Sequence, residues 1–213
     1  MHLRYNAPIM VTYRIRRLHA PGEHSRRYHL YDRSDQLLLV ADQGSGWLPQ
    51  AGPPQVHFAR PDGERVASMD LPRAGDRRPE KQQSYALIYE HAVYALITAP
   101  IRPSTGGTAP LSLPPPSGSG IVWPFTRLLI EVEGNRWLGL CWSEADGPLL
   151  VLYDAPDGLP LAVDPDPADL PDAIGSVERG AGDYHYDLTL PTGRLVQGAL
   201  LGLGVVVLVD SAS

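Results

Sequence analysis

Seven arginines fall within the first 33 residues: Arg4, Arg14, Arg16, Arg17, Arg26, Arg27 and Arg33. Only Glu23 and Asp32 oppose them, a local charge of +5. Guanidinium groups at this density suit bidentate hydrogen bonding to phosphate or carboxylate oxygens. Arg14, Arg16, Arg17, Arg26 and Arg27 are therefore the candidate site, and an anionic phospholipid headgroup or membrane surface is the candidate ligand. Each charge contributes about 1 kcal/mol near such a surface. Two other readings stand beside it. The stretch from Glu144 to Asp187 holds eleven acids against Arg179 alone, a local −10, so the two stretches could pair within one molecule or between subunits. A protein partner could also take up the arginines. Nucleic acid is not expected, because no recognition motif or basic-aromatic interleaving accompanies the charge.

Catalytic spacing is absent. There is no GxSxG, SxxK or HExxH, and the seven histidines show no metal-ligand spacing beside a cysteine or a third ligand. His29 and His57 alternate with apolar neighbours and read as strand residues. Cys141, the only cysteine, sits between Leu140 and Trp142 as a small packed thiol, and no intrachain disulfide can form. Asp164, Asp166, Asp169 and Asp172 lack the glycine and the final glutamate of an EF-hand loop. The expectation is a non-enzymatic protein with no cofactor and no metal.

The elements that would position these residues are short. Gly and Pro make up about a fifth of the 213 residues, 43% of the chain is hydrophobic, and the net charge is −6, a composition that favours an ordered core with many turns. Period-2 runs separated by turn signals predict about twelve strands: around Tyr13–Leu18, then 28–32, 37–42, 56–60, 65–70, 85–89, 93–98, 128–132, 137–142, 149–154, 159–163 and 184–190. Asp62-Gly63 is a strong hairpin turn. Residues 100–120, rich in Pro, Gly, Ser and Thr, read as an extended insertion, and 165–182 as an acidic surface loop.

Tyr31–Asp42 aligns without a gap with Tyr153–Asp164, agreeing at six of twelve positions. That suggests one domain over 1–213 with duplicated halves, 9–99 and 121–190, on either side of the insertion. Twelve strands in a flat sheet would leave open edges, so a closed or nearly closed barrel is expected. Such a barrel needs a filling. Leu195–Val209 is apolar but for Gln197 and, at about 22 Å as a helix, too short to span a bilayer. A helix over 192–210, buried on every face inside the barrel, is the expectation, with Gly198 and Gly202 thinning it where strands come close.

This order of elements resembles the tubby C-terminal-like fold, in particular its LURP-one-related, phospholipid-scramblase-like branch. The residues carrying the resemblance are Tyr28–Asp32, Leu37–Val40, Asp62-Gly63, Ser84–Ile88, Tyr153–Gly158 and Tyr184–Leu188 ahead of the terminal apolar segment. The long insertion and the near absence of lysine, Lys81 alone against 17 arginines, depart from it. The resemblance implies twelve strands wrapped around a central C-terminal helix, and phosphoinositide-type binding through basic residues. A membrane-inserted, scramblase-like role is its alternative. The first 17 residues contain no secretory signal, so a cytoplasmic protein, peripheral at a membrane, is expected.

Overall fold

The computed structural model describes residues 10–18, 26–43, 55–71, 83–99, 127–141, 148–155, 171–180, 185–191, 195 and 197–211. Twelve strands follow one another: β1 (Met10–Leu18), β2 (Arg26–Tyr31), β3 (Leu37–Gln43), β4 (Gln55–Ala59), β5 (Arg65–Asp70), β6 (Gln83–Tyr89), β7 (Ala92–Ala99), β8 (Arg127–Val132), β9 (Asn135–Cys141), β10 (Leu150–Asp154), β11 (Ala173–Arg179) and β12 (His185–Pro191). Each pairs antiparallel with its neighbour in sequence, and β1 closes the barrel against β12 from Met10↔Pro191 to Arg16↔His185. Closure leaves no strand edge unpaired, as expected for a sheet of this size in water.

Short turns lie at one end of the barrel. Glu90-His91 and Glu133-Gly134 take positive φ at both central residues, the geometry that matches the twist of a two-residue hairpin. In the longer β4–β5 turn, Gly63 takes positive φ (90°), which glycine adopts at no steric cost. In the β2–β3 turn, the Asp32 carboxylate accepts the backbone N–H groups of Ser34 (2.8 Å) and Gln36 (2.9 Å), while Asp35 takes φ 61°. These turns are acidic: Asp32, Asp35, Asp62, Glu64, Glu90 and Glu133 against Arg33 and Arg60.

A helix, α1 (Gly198–Ser211), runs through the lumen and is the one helix among the described residues. It starts at the turn end, where the Gln197 backbone N–H donates to the Tyr94 hydroxyl (3.1 Å) and its side-chain amide to the Tyr89 hydroxyl (3.2 Å). The Gln197 carbonyl accepts the first helical hydrogen bond, from Leu201 (3.0 Å). The positive pole of the helix thus sits at the acidic end of the barrel, a favourable arrangement. Every residue from Leu200 to Asp210 is buried, so the helix is solvated on no face. Each of its buried Leu and Val side chains contributes roughly 1.5–3 kcal/mol of transfer free energy. Inward strand residues such as Phe58, Leu87, Ile97, Ile130, Trp137 and Leu188 complete the same core. Gly202 is where the wall comes nearest, since a Cβ there would stand 2.2 Å from Leu188 Cδ2.

Two expectations are corrected. The helix begins at Gly198, not at 192: Leu195 is not helical, and the contacts of Gln197 with Tyr94 and Tyr89 precede the first helical turn. The acidic stretch 165–182 is not all loop, because β11 runs from Ala173 to Arg179 within it. That strand has few inward apolar anchors, chiefly Ile174 and Val177, and carries Gly175, where a Cβ would meet the Thr189 carbonyl oxygen at 2.8 Å. The strand expected at 159–163 and the insertion 100–120 lie outside the described residues.

Candidate functional site

Strand parity decides where the candidate arginines point. Arg17 is in phase with Tyr13 and the fully buried Ile15, and Arg26 with the fully buried Tyr28 and Leu30, so both face the lumen. Arg14, Arg16 and Arg27 alternate with them and face outward. The five residues therefore form two groups.

The inward pair closes the mouth opposite the turn end, around Asp210 near the end of α1. Arg17 Nη1 donates to Asp210 Oδ1 at 2.9 Å, and Arg26 Nη1 donates to the Asp210 carbonyl at 2.7 Å and lies 3.8 Å from Oδ2. Tyr186 donates to Oδ1 at 3.2 Å, and the Tyr28 hydroxyl to Oδ2. An acid at a helix C-terminus opposes the macrodipole, so two guanidinium groups at this point offset both the carboxylate and the helix end. The Asp210 side chain keeps only 7% of its surface and that of Arg17 10%, which leaves little room for an external ligand to share them.

Burial first, and the Asp210 charge second, push the Tyr28 and Tyr186 phenols well above the usual tyrosine range. Below about pH 10 both the folded and the unfolded chain hold these protons, and the contribution is fully present. Above it the unfolded chain releases them while the folded chain retains them. Stability should then fall by about 1.4 kcal/mol per pH unit for each phenol, until the folded protein also ionises. The unfolding midpoint measured between pH 9 and pH 12 (about this span) should therefore drop less in Tyr28→Phe/Tyr186→Phe than in the parent. An equal drop would show that these phenols are not held protonated.

The outward group is a surface of mixed charge. Arg14 Nη2 lies 2.8 Å from Asp35 Oδ1, and Arg16 Nη2 lies 3.8 Å from the same oxygen. The Arg16 guanidinium also stacks over the Tyr31 ring, 5.0 Å from its centre. Arg33 Nη2 donates to Thr12 Oγ1 at 3.3 Å, and that hydroxyl is 3.3 Å from Thr189 Oγ1 across the closing seam. Arg27 stands apart, paired with Asp42 at 2.7 Å. An open depression of about 450 Å³ runs from the β2–β3 turn across β1, β12 and β11, lined by Thr12, Arg14, Arg33, Glu178, Asp187 and Thr189.

Among the described residues, Asp35, Asp42 and Asp210 are carboxylates that meet these arginines, while seven of the eleven acids of 144–187 lie outside the described residues. Charge counting along the chain missed Asp210, Tyr28 and Tyr186 at the mouth and Thr12 and Thr189 on the wall; it counted Arg33, Glu178 and Asp187 but did not bring them together. The phase of each arginine against its apolar neighbours was a readable signal for which face it takes. Nothing local marked the partners.

No protein-family model, curated protein or solved structure matches the chain.

The remaining chemistry-bearing residues are quiet. Burial pushes the Cys141 thiol up to about 12, far from a nucleophile's range. His29 and His57 are held below the ordinary imidazole range by burial and then by Arg27 and Arg65 respectively. Among the described residues no group of three His, Cys, Asp or Glu could hold a metal ion, and no helix is long and apolar enough to cross a membrane. His2, His19, His24, Asp164, Asp166 and Asp169 lie outside the described residues.

Proposed function

We propose that this chain is a non-enzymatic, tubby-like binding module that takes an anionic phospholipid headgroup against the outer wall of β1 and β2. One observation carries the reading: Arg14, Arg16 and Arg33 come together beside the Thr12 and Thr189 hydroxyls, and among the described residues Asp35 is the one carboxylate within ion-pair distance of them. Guanidinium forks and hydroxyl donors suit a phosphate. The lumen offers no alternative, because α1 fills it with packed apolar side chains. The barrel-and-helix arrangement supports the tubby-like resemblance. A net charge of −6 opposes approach to an anionic membrane.

Flotation with vesicles of phosphatidylglycerol in phosphatidylcholine, against phosphatidylcholine alone, tests this at low and high salt. Enrichment on the anionic vesicles should be lost at high salt. The triple variant Arg14→Gln/Arg16→Gln/Arg33→Gln should bind at least ~10-fold more weakly, given about 1 kcal/mol per charge. Equal retention on both vesicle types at low salt would end the lipid reading and turn the search to a protein partner.

A further inference from the structure

The geometry points to a ligand that carries both signs of charge: a phosphate held by Arg14, Arg33 and Thr12, and a primary ammonium held by Asp187 and Glu178, as in a phosphoethanolamine group. This rests on the reading that the outer arginines take a phosphate, and it names the other half of the ligand.

Glu178 and Asp187 are direct cross-strand partners in the β11–β12 ladder, and both face the depression. Like charges directly opposite each other on a sheet destabilise it, which makes the pair costly unless a cation joins it. Among the described residues the Asp187 carboxylate has no hydrogen bond or ion pair, and Glu178 accepts only the Ser176 hydroxyl, at 3.4 Å. The obvious counter-ion is near. Arg14 stands directly opposite Asp187 in the β1–β12 ladder. Its guanidinium turns to Asp35 instead, at 2.8 Å. Asp35 sits in the left-handed region at φ 61°, a conformation costing a residue with a Cβ roughly 1 kcal/mol, though aspartate and asparagine tolerate it best. The β2–β3 turn thus holds Arg14 away from Asp187, and the depression keeps separate positive and negative poles.

Neighbouring strands lie about 4.8 Å apart, so the arginine pole on β1 and the turn and the acidic pole on β12 and β11 are separated by roughly 5–10 Å. That suits charges joined by a short arm. A plain anion would meet repulsion from Asp187 and Glu178, and a plain cation repulsion from Arg14 and Arg33. A primary ammonium has three N–H donors for the two carboxylates. A quaternary ammonium has none and prefers aromatic faces, and no aromatic residue lines the depression.

Vesicles of phosphatidylcholine containing either phosphatidylethanolamine or phosphatidylglycerol, together with soluble O-phosphoethanolamine titrated by NMR, test the proposal on the full chain. The parent should prefer phosphatidylethanolamine over pure phosphatidylcholine vesicles. Asp187→Asn should weaken that binding about 10-fold while leaving phosphatidylglycerol binding equal or stronger. Asp35→Asn, which keeps the turn conformation, should free Arg14 to pair with Asp187 and weaken phosphatidylethanolamine binding as well. Neither variant should unfold appreciably below the parent, since Asp187→Asn relieves the repulsion at Glu178 and Asp35→Asn removes only an exposed ion pair. Phosphatidylethanolamine binding untouched by Asp187→Asn, with phosphatidylglycerol bound as well or better, overturns the two-signed ligand and leaves the arginine reading standing. No response to either lipid or to soluble phosphoethanolamine overturns both. Binding of soluble phosphoethanolamine without vesicle binding upholds the two-signed site and removes the membrane as its source.

Discussion

Leu201→Asp should give no folded protein. Leu201 is 1% exposed in the first turn of a helix that is packed into the hydrophobic core of the barrel. Removing the leucine costs about 2–5 kcal/mol in lost packing and transfer free energy. The new carboxylate would stand among the buried apolar side chains of the core, and a charge buried there costs several kcal/mol more or forces protonation. Together these approach or exceed the whole stability of an ordinary domain, about 5–15 kcal/mol. Leu201→Met conserves volume and should cost less than about 1.5 kcal/mol, which separates a buried charge from mere change at the position. The check is soluble yield and a cooperative thermal transition for both variants. A Leu201→Asp protein that melts like the parent would mean that α1 is a dispensable tail and not the filling of the barrel.

The second large effect is expected at the mouth. Asp210→Ala leaves Arg17, itself nearly enclosed, without its carboxylate, and strands the Tyr28 and Tyr186 hydroxyls. Breaking a buried pair on one side typically costs about 3–5 kcal/mol. For a domain of this size that lowers the melting temperature by roughly 6–20 °C. The pair as a whole is a different matter. Replacing both partners with apolar residues of similar volume, Arg17→Met with Asp210→Leu, should recover most of the loss, because the desolvation cost of both charges disappears with their attraction. Differential scanning calorimetry of the single and double variants decides it. A single variant within 1 °C of the parent (about 0.3 kcal/mol) would show that the cluster contributes nothing to holding the helix.

Much of this architecture was legible along the chain. Alternation such as Tyr28-His29-Leu30-Tyr31 and Val56-His57-Phe58 has period 2, and turn pairs such as Asp62-Gly63 punctuate it, so strands and hairpins could be placed to within a few residues. The run from Leu200 to Val209 is apolar on every face and could not lie on a surface, which made its burial inside the barrel legible too. β11 was missed because its inward face rests chiefly on Ile174 and Val177 amid an acidic surround, and Gly175 stands where the wall leaves no room for a side chain. The start of α1 was misplaced because helical pattern says little about where a chain must bend into a lumen.

The candidate site divides along the same line. The sequence grouped the five arginines as one site, although its alternation already carries their division: Arg17 and Arg26 share the parity of Ile15 and Tyr28, and Arg14, Arg16 and Arg27 the opposite one, because facing is a matter of parity within one strand. Only the tertiary structure decided what each arginine meets. Asp210 reaches Arg17 from 193 residues away, and Thr189 reaches Thr12 across 177, through the closing pair of first and last strands. Hydrophobic burial is periodic and can be read locally. Ion pairs carry no such period, and which charges become neighbours depends on the register in which the barrel closes.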